Sequence, residues 1–142
     1  NSATAQVLVY DTIAPHVITQ NATIFLDSSG NYELTVAEIN NGTWDSCGIV
    51  DLQLDTTSFT CADTGTFAVW LTATDHSGNT SSDSALVTLV DTLAPIVQLQ
   101  NITIYLDGNG QASITPAMLD SGSADNCFID TTYLSVYDFN CA

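Results

Sequence analysis

The side chains able to do chemistry in this sequence carry almost a single sign: 16 aspartates and glutamates, two histidines, and no lysine or arginine, for a net charge of −16 over 142 residues. With no basic partner, each carboxylate must be solvated, capped by backbone N–H groups or neutralised by a cation. Nucleic acid and anionic membrane surfaces are excluded as partners, because both are held through Lys and Arg. Carboxylates that converge under these conditions invite a hard cation, and Ca2+ prefers such oxygen ligands. The candidates are Asp11, Asp45 and Asp75, with Asp91 and Asp125 as a second, incomplete set. The competing reading is that Asp11 and Asp75 cap turns through backbone N–H groups. Catalysis finds no foothold: His16 and His76 belong to no Ser-His-Asp pattern, no Gly-rich phosphate loop occurs, and short turns offer no cleft to raise a carboxyl pKa. The expectation is a protein that is not an enzyme.

Four cysteines lie at 47, 61, 127 and 141. No CxxC pair exists and the histidines are not spaced as ligands, so zinc is excluded. The spacing of 14 in both halves predicts Cys47 with Cys61 and Cys127 with Cys141, each closing a loop worth about 3 kcal/mol in the chain-entropy model. Stable disulfides predict an extracellular or cell-surface location. The hydrophobic fraction of 45% argues against acidic disorder.

The elements that must position these groups repeat. VLVYDTIAP at 7–15 returns as VTLVDTLAP at 87–95, NATIFLD at 21–27 as NITIYLD at 101–107, and both cysteines recur at the same offset of 80. Residues 1–10 therefore read as the last strand of a preceding repeat, 11–91 as a complete repeat, and 92–142 as the N-terminal part of the next. That last part is expected to be completed by further chain or by a neighbouring subunit. Thr66 to Asp75 alternates, with Phe67, Val69, Leu71 and Ala73 on one face. Short strands separated by DSSGN, NNGTWDSCG, CADTG and DHSGN predict an all-β, immunoglobulin-like antiparallel β-sandwich in tandem repeats of 80 residues. In such a sandwich Asp11 approaches the loops that carry Asp45 and Asp75. Trp70, Phe25 and Tyr105 are expected to point outward.

The string GTFAVWLTATDHSGNTSSDSALVTLVDTLAP, with DSCG and DNCF upstream, resembles the hyalin-repeat class of immunoglobulin-like domains. More closely, it is similar to the cysteine-bearing Ig-like repeats of very large surface and adhesion proteins of Bacteroidetes bacteria. The resemblance spans the chain and is strongest at TATDxSGNT (72–80) and DTxAP (11–15 and 91–95). It implies an extracellular filament or adhesin, many copies in an array, an adhesive or fibre-forming role and no catalysis. Further copies of the same repeat, in chain or in neighbouring subunits, are the expected partners, with a carbohydrate or cell-surface ligand as a further one. Relatives carry extra cysteines where this chain has Gln20 and Asp83, so that second disulfide is expected to be missing.

Covalent glycans are a second expectation. N-x-S/T sequons occur at Asn21, Asn41, Asn79 and Asn101. Thr12, Thr56, Ser84, Thr92 and Thr131 follow an aspartate in a pattern similar to the O-glycan acceptor signal of Bacteroidetes proteins. A rival expectation is a glycan- or surface-binding module or spacer of a secreted multidomain protein, with Trp44 as the stacking residue. The repeat weighs against it, because Ala124 stands in the Trp44 position.

Overall fold

The protein, seen in a computed structural model that describes residues 3–141, is mostly β. The first two residues of the 1–10 segment and Ala142 lie outside that range. The chain divides into two compact units, residues 1–26 with 31–91 and residues 27–30 with 92–142.

In the first unit the alternating sequences become strands. β1 (Ala22–Phe25), β6 (Thr80–Val90), β5 (Gly65–Asp75) and β3 (Ile49–Leu54) form a four-stranded sheet in that order. β5 and β6 are an 11-residue hairpin pair, joined through a turn in which Gly78 takes the left-handed φ of 86° that glycine adopts most readily. β1 runs parallel to β6, with Ala22 opposite Val87 and Phe25 opposite Val90. β2 (Asn31–Glu33) and β4 (Ser58–Thr60) make a second, two-stranded sheet. A single helical turn, α1 (Val36–Ile39), follows β2. Thr35 and Glu38 close its first turn as a capping box, each side chain meeting the other's backbone.

Period-two alternation on β5 and β6 sends Val69, Leu71, Ala73, Ala85, Val87 and Leu89 to one side. There they are buried with Ile24 and Leu26 of the β1 segment, Leu34, Ile39 and Phe59. Phe59 stacks on Phe67 with ring centroids 4.9 Å apart, tying β4 to β5. Trp70, Phe25 and Leu86 occupy the opposite, solvent face.

In the second unit, β7 (Gln111–Ser113) pairs with β8 (Asp138–Asn140), and α2 (Pro116–Leu119) forms one helical turn. These are β2, β4 and α1 displaced by 80 residues. The isolated bridges follow the same offset: His16–Trp44 and Thr19–Asn40 in one unit, Ile96–Ala124 and Leu99–Asp120 in the other.

The cysteine pairing expected from spacing is not made. Cys47 and Cys141 are free, whereas Cys61 and Cys127 are disulfide-bonded. The register explains why Cys47 cannot reach Cys61. Ile49, just after Cys47, lies opposite Asp75 at one end of β5, while Cys61 precedes Gly65 at the other. A strand of 11 residues spans roughly 35 Å, and a disulfide requires Cα atoms within about 7 Å. The equal spacing of 14 is thus a mark of the duplicated sequence and not of pairing.

Candidate functional site

The chemistry-bearing side chains of the first unit gather where the 11–15 segment meets the loop before β3 and the β5–β6 turn. Asp11, Asp45 and Cys47 each place a ligand atom within 4.8 Å of the others. Asp11 Oδ1 accepts from Ile13 N at 3.0 Å, an Asx turn that follows from an aspartate two residues before an N–H. Asp45 Oδ1 accepts from Cys47 N at 2.7 Å and Gly48 N at 3.1 Å. Asp11 Oδ2 is buried without a well-formed hydrogen bond. The Asp11 carboxylate beside Cys47, as acceptor and as negative charge, pushes the thiol pKa up. Thiol sulfur is a soft donor, so the donors in this cluster suited to a hard cation are the carboxylate oxygens of Asp11 and Asp45.

Asp75 plays a different part. It is buried, and both its oxygens are used by its own turn: Oδ1 accepts from Ser77 N and Asn79 N, each at 2.8 Å, and Oδ2 from Asn79 Nδ2 at 2.8 Å. Burial alone would raise the Asp75 carboxyl, but the hydrogen bonds from Asn79, Ser77 and Gly78 outweigh it and hold the pKa below the ordinary range. Asp91 belongs to the first unit and Asp125 to the second. Asp125 Oδ1 caps Cys127 N at 2.9 Å, as Asp45 caps Cys47.

Asn79 is the residue that sequence reasoning undervalued. Its Nδ2 donates to Asp75 and lies 3.2 Å from Asp11 O and 3.3 Å from Ile13 O. Ser81 Oγ donates to Pro15 O. One amide and one hydroxyl thus fasten the DTIAP segment to the β5–β6 turn. The sequon pattern hid this role, and the spacing Asp75–Asn79 across a Gly-containing turn was the signal that could have found it. The same bonds occupy the nitrogen to which an N-glycan would attach. Asn21, Asn41 and Asn101 are exposed, although Asn21 Oδ1 accepts from Leu86 N at 2.9 Å. Thr12, Thr56, Thr92 and Thr131 are exposed, and Ser84 is half-buried within β6.

Trp44 is 56% exposed and pairs through its backbone with His16, their rings 5.9 Å apart and tilted by 58°. Beside them Pro15, Ile13 and Asp45 line a shallow cleft of about 330 Å³. Among the described residues no helix is long and apolar enough to cross a membrane. In comparisons with known proteins, no family model, no curated protein and no solved structure matches the chain.

Proposed function

We propose that this chain is a structural or adhesive repeat of an extracellular filament or cell-surface adhesin, built from immunoglobulin-like sandwich modules of the hyalin-repeat kind and without catalytic activity. The observation that carries the reading is the recurrence of β2, α1, β4 and two isolated bridges at an offset of 80, together with the DTxAP segments at 11–15 and 91–95. Modules that repeat without a linker are suited to rods and arrays. The fastening of DTIAP by Asn79 and Ser81 stiffens the entry to the module. The disulfide-bonded Cys61 and Cys127 are compatible with an extracellular location. Net charge of −16 keeps such a fibre hydrated and apart from anionic surfaces. The expected partners are further copies of the repeat, and glycans on the exposed Asn and Thr acceptors form its coat.

Electron microscopy of the secreted assembly tests this reading. We expect an unbranched fibre whose axial repeat is one or two modules, each set by 11-residue strands of roughly 35 Å; discrete globular particles would overturn it. A calcium ion between Asp11 and Asp45 belongs to the same proposal. Calcium is then expected to raise the melting temperature of the first unit and EDTA to reverse the rise, whereas an unchanged midpoint removes the metal.

A second reading, favoured by the exposed Trp44 beside His16 over a shallow cleft, is a module that binds carbohydrate by aromatic stacking. Loss of glycan-array binding in Trp44→Ala separates it from the structural role.

A further inference from the structure

We propose that the outward face of the four-stranded sheet in the first unit is a lateral interface at which two copies of this chain pair face to face. The inference rests on the reading that further copies are the partners and names the surface they share. All four strands of that face, β1, β6, β5 and β3, lie within residues 22–90, so the face is complete in itself.

Alternation sets what the face presents. The residues of β5 and β6 that do not enter the core point the other way, and among them Trp70 is 49% exposed and Leu86 52%. Ala68 stands opposite Leu86, and Ser84 opposite Trp70. Large and small side chains therefore alternate as on a checkerboard across the two central strands, with Trp70 and Leu86 raised and Ala68 and Ser84 as the hollows. A two-fold axis running across the strands between these two rows sets each Trp70 over the other copy's Ala68 and each Leu86 over its Ser84. That is the self-complementarity an isologous contact needs. Phe25, outward on β1, extends the apolar surface toward one edge.

The polar atoms of the face are largely spent within it. Thr66 and Thr88 share a hydrogen bond of 3.0 Å across the strands, and Thr72 and Ser82 one of 2.8 Å. Hydroxyls paired in this way are covered at less cost than free ones, whereas a bound sugar would need them open. The carboxylates of the face stand at the β3 edge: Asp51, which accepts from Gln53 Nε2 at 2.7 Å, and Asp55, which accepts from Trp70 N at 3.0 Å.

Charge selects the occupant. The chain carries −16 and no basic residue, so a cationic partner would be drawn to its carboxylates and not to a face that has them only at an edge. For a second copy the preference reverses, because two bodies of the same sign meet there with few carboxylates opposed. Strands of 11 residues spaced about 4.8 Å apart, with the two shorter ones beside them, present roughly 500 Å² per copy. A pair thus covers about 1,000 Å², the size at which specific association begins.

The test uses the intact chain. Sedimentation over a range of protein concentration, at low and at moderate NaCl, is run on the unaltered chain and on Trp70→Ser and Ala68→Asp. Both positions lie on the solvent face, and melting midpoints check that each variant stays folded. We expect a monomer–dimer equilibrium that tightens with NaCl, as screening relieves repulsion between the bodies. It is expected to weaken about tenfold or more in either variant, the first losing the aromatic anchor and the second placing a carboxylate beneath it. A readout without substitution in the face follows Trp70 emission in Trp44→Phe, where acrylamide quenching is expected to fall as the chain associates. A chain that stays monomeric at every concentration, associates equally well in both variants, or leaves Trp70 equally open to acrylamide when associated overturns the interface. Fibres that form with Trp70 still open sink the interface and keep the filament reading. Dimers that cover Trp70 without fibres do the reverse.

Discussion

The two units run the same sequence pattern under different circumstances. β2 and β7, β4 and β8, α1 and α2 form in both, because each finds its partner within the shared 56-residue stretch from 7–62 or 87–142. β1 and β3 pair only with β6 and β5, and their counterparts in the second unit are not strands. ATIF and ITIY are nearly the same sequence, so pairing and not local propensity decides whether a strand exists there. Burial follows: Leu26 and Phe59 are each 4% exposed, against 44% for Leu106 and 38% for Phe139. The 15–95 pair repeats the lesson, since Pro15 is buried beneath Ser81 and Pro95 is exposed.

The largest expected effect would erase that difference. Appending residues 63–90 after Ala142 supplies the second unit with its own hairpin, and exchange at Ile102–Tyr105 and Ile129–Leu134 is expected to slow toward the global unfolding limit. Unaltered exchange there would mean that the hairpin is not what the second unit lacks. Next in size, Phe59→Ala is expected to cost about 3–5 kcal/mol and Phe139→Ala about 1 kcal/mol or less, since only the first leaves a closed cavity. Equal losses in denaturant titrations would break the comparison.

Acid should act on the two units through different carboxyls. Hydrogen bonds from Tyr32 and Thr35 lower the Glu38 pKa against the opposing effect of burial, and Asp75 is lowered likewise. A carboxyl whose folded pKa lies below its unfolded value, about 3.9 for Asp and 4.3 for Glu, contributes fully above that value. The contribution is lost as pH falls through the folded one. Met118 stands in the Glu38 position, and the lowered carboxyls of the second unit are instead Asp107, held by the Gln111 and Asn109 N–H groups, and Asp120, held by Ser123. Exchange of the first unit measured between pH 5 and 2 in the unaltered chain and in Asp75→Asn with Glu38→Gln checks this; a first-unit pH dependence that persists undiminished in the double variant, or a second-unit one that disappears with it, would refute it. The smallest effect is chemical. Thiol labelling under native conditions is expected to modify Cys47 and Cys141 alone, with Cys47 slowed by its raised pKa, and Cys61 and Cys127 only after reduction. Four blocked thiols before reduction would restore the pairing by spacing.

Much of the fold was legible. The alternation in Thr66–Asp75 marks β5 and its buried face, the Gly-containing turns mark the strand ends, and the offset of 80 predicts which local elements recur. The parallel pairing of β1 with β6 was not legible, because it joins residues 65 apart through backbone groups that every sequence possesses. The cysteines misled for a related reason: distance along the chain says nothing about which end of a long strand each occupies. At the site, the loop positions of Asp11 and Asp45 were readable from the order of elements. The role of Asn79 was not, since an amide bridging two backbone carbonyls leaves no trace in composition.

The parallel register of β1 and β6 bears on how the first unit would carry tension. The chain enters just before β1 and leaves at the end of β6, so a pull on the two ends drives these adjacent strands past one another in opposite directions. Every hydrogen bond along Ala22–Phe25 is then loaded together in shear, whereas an antiparallel hairpin pulled from its open end would unzip one bond at a time. The short, unremarkable β1 is accordingly the element on which the unit's resistance to stretching would depend.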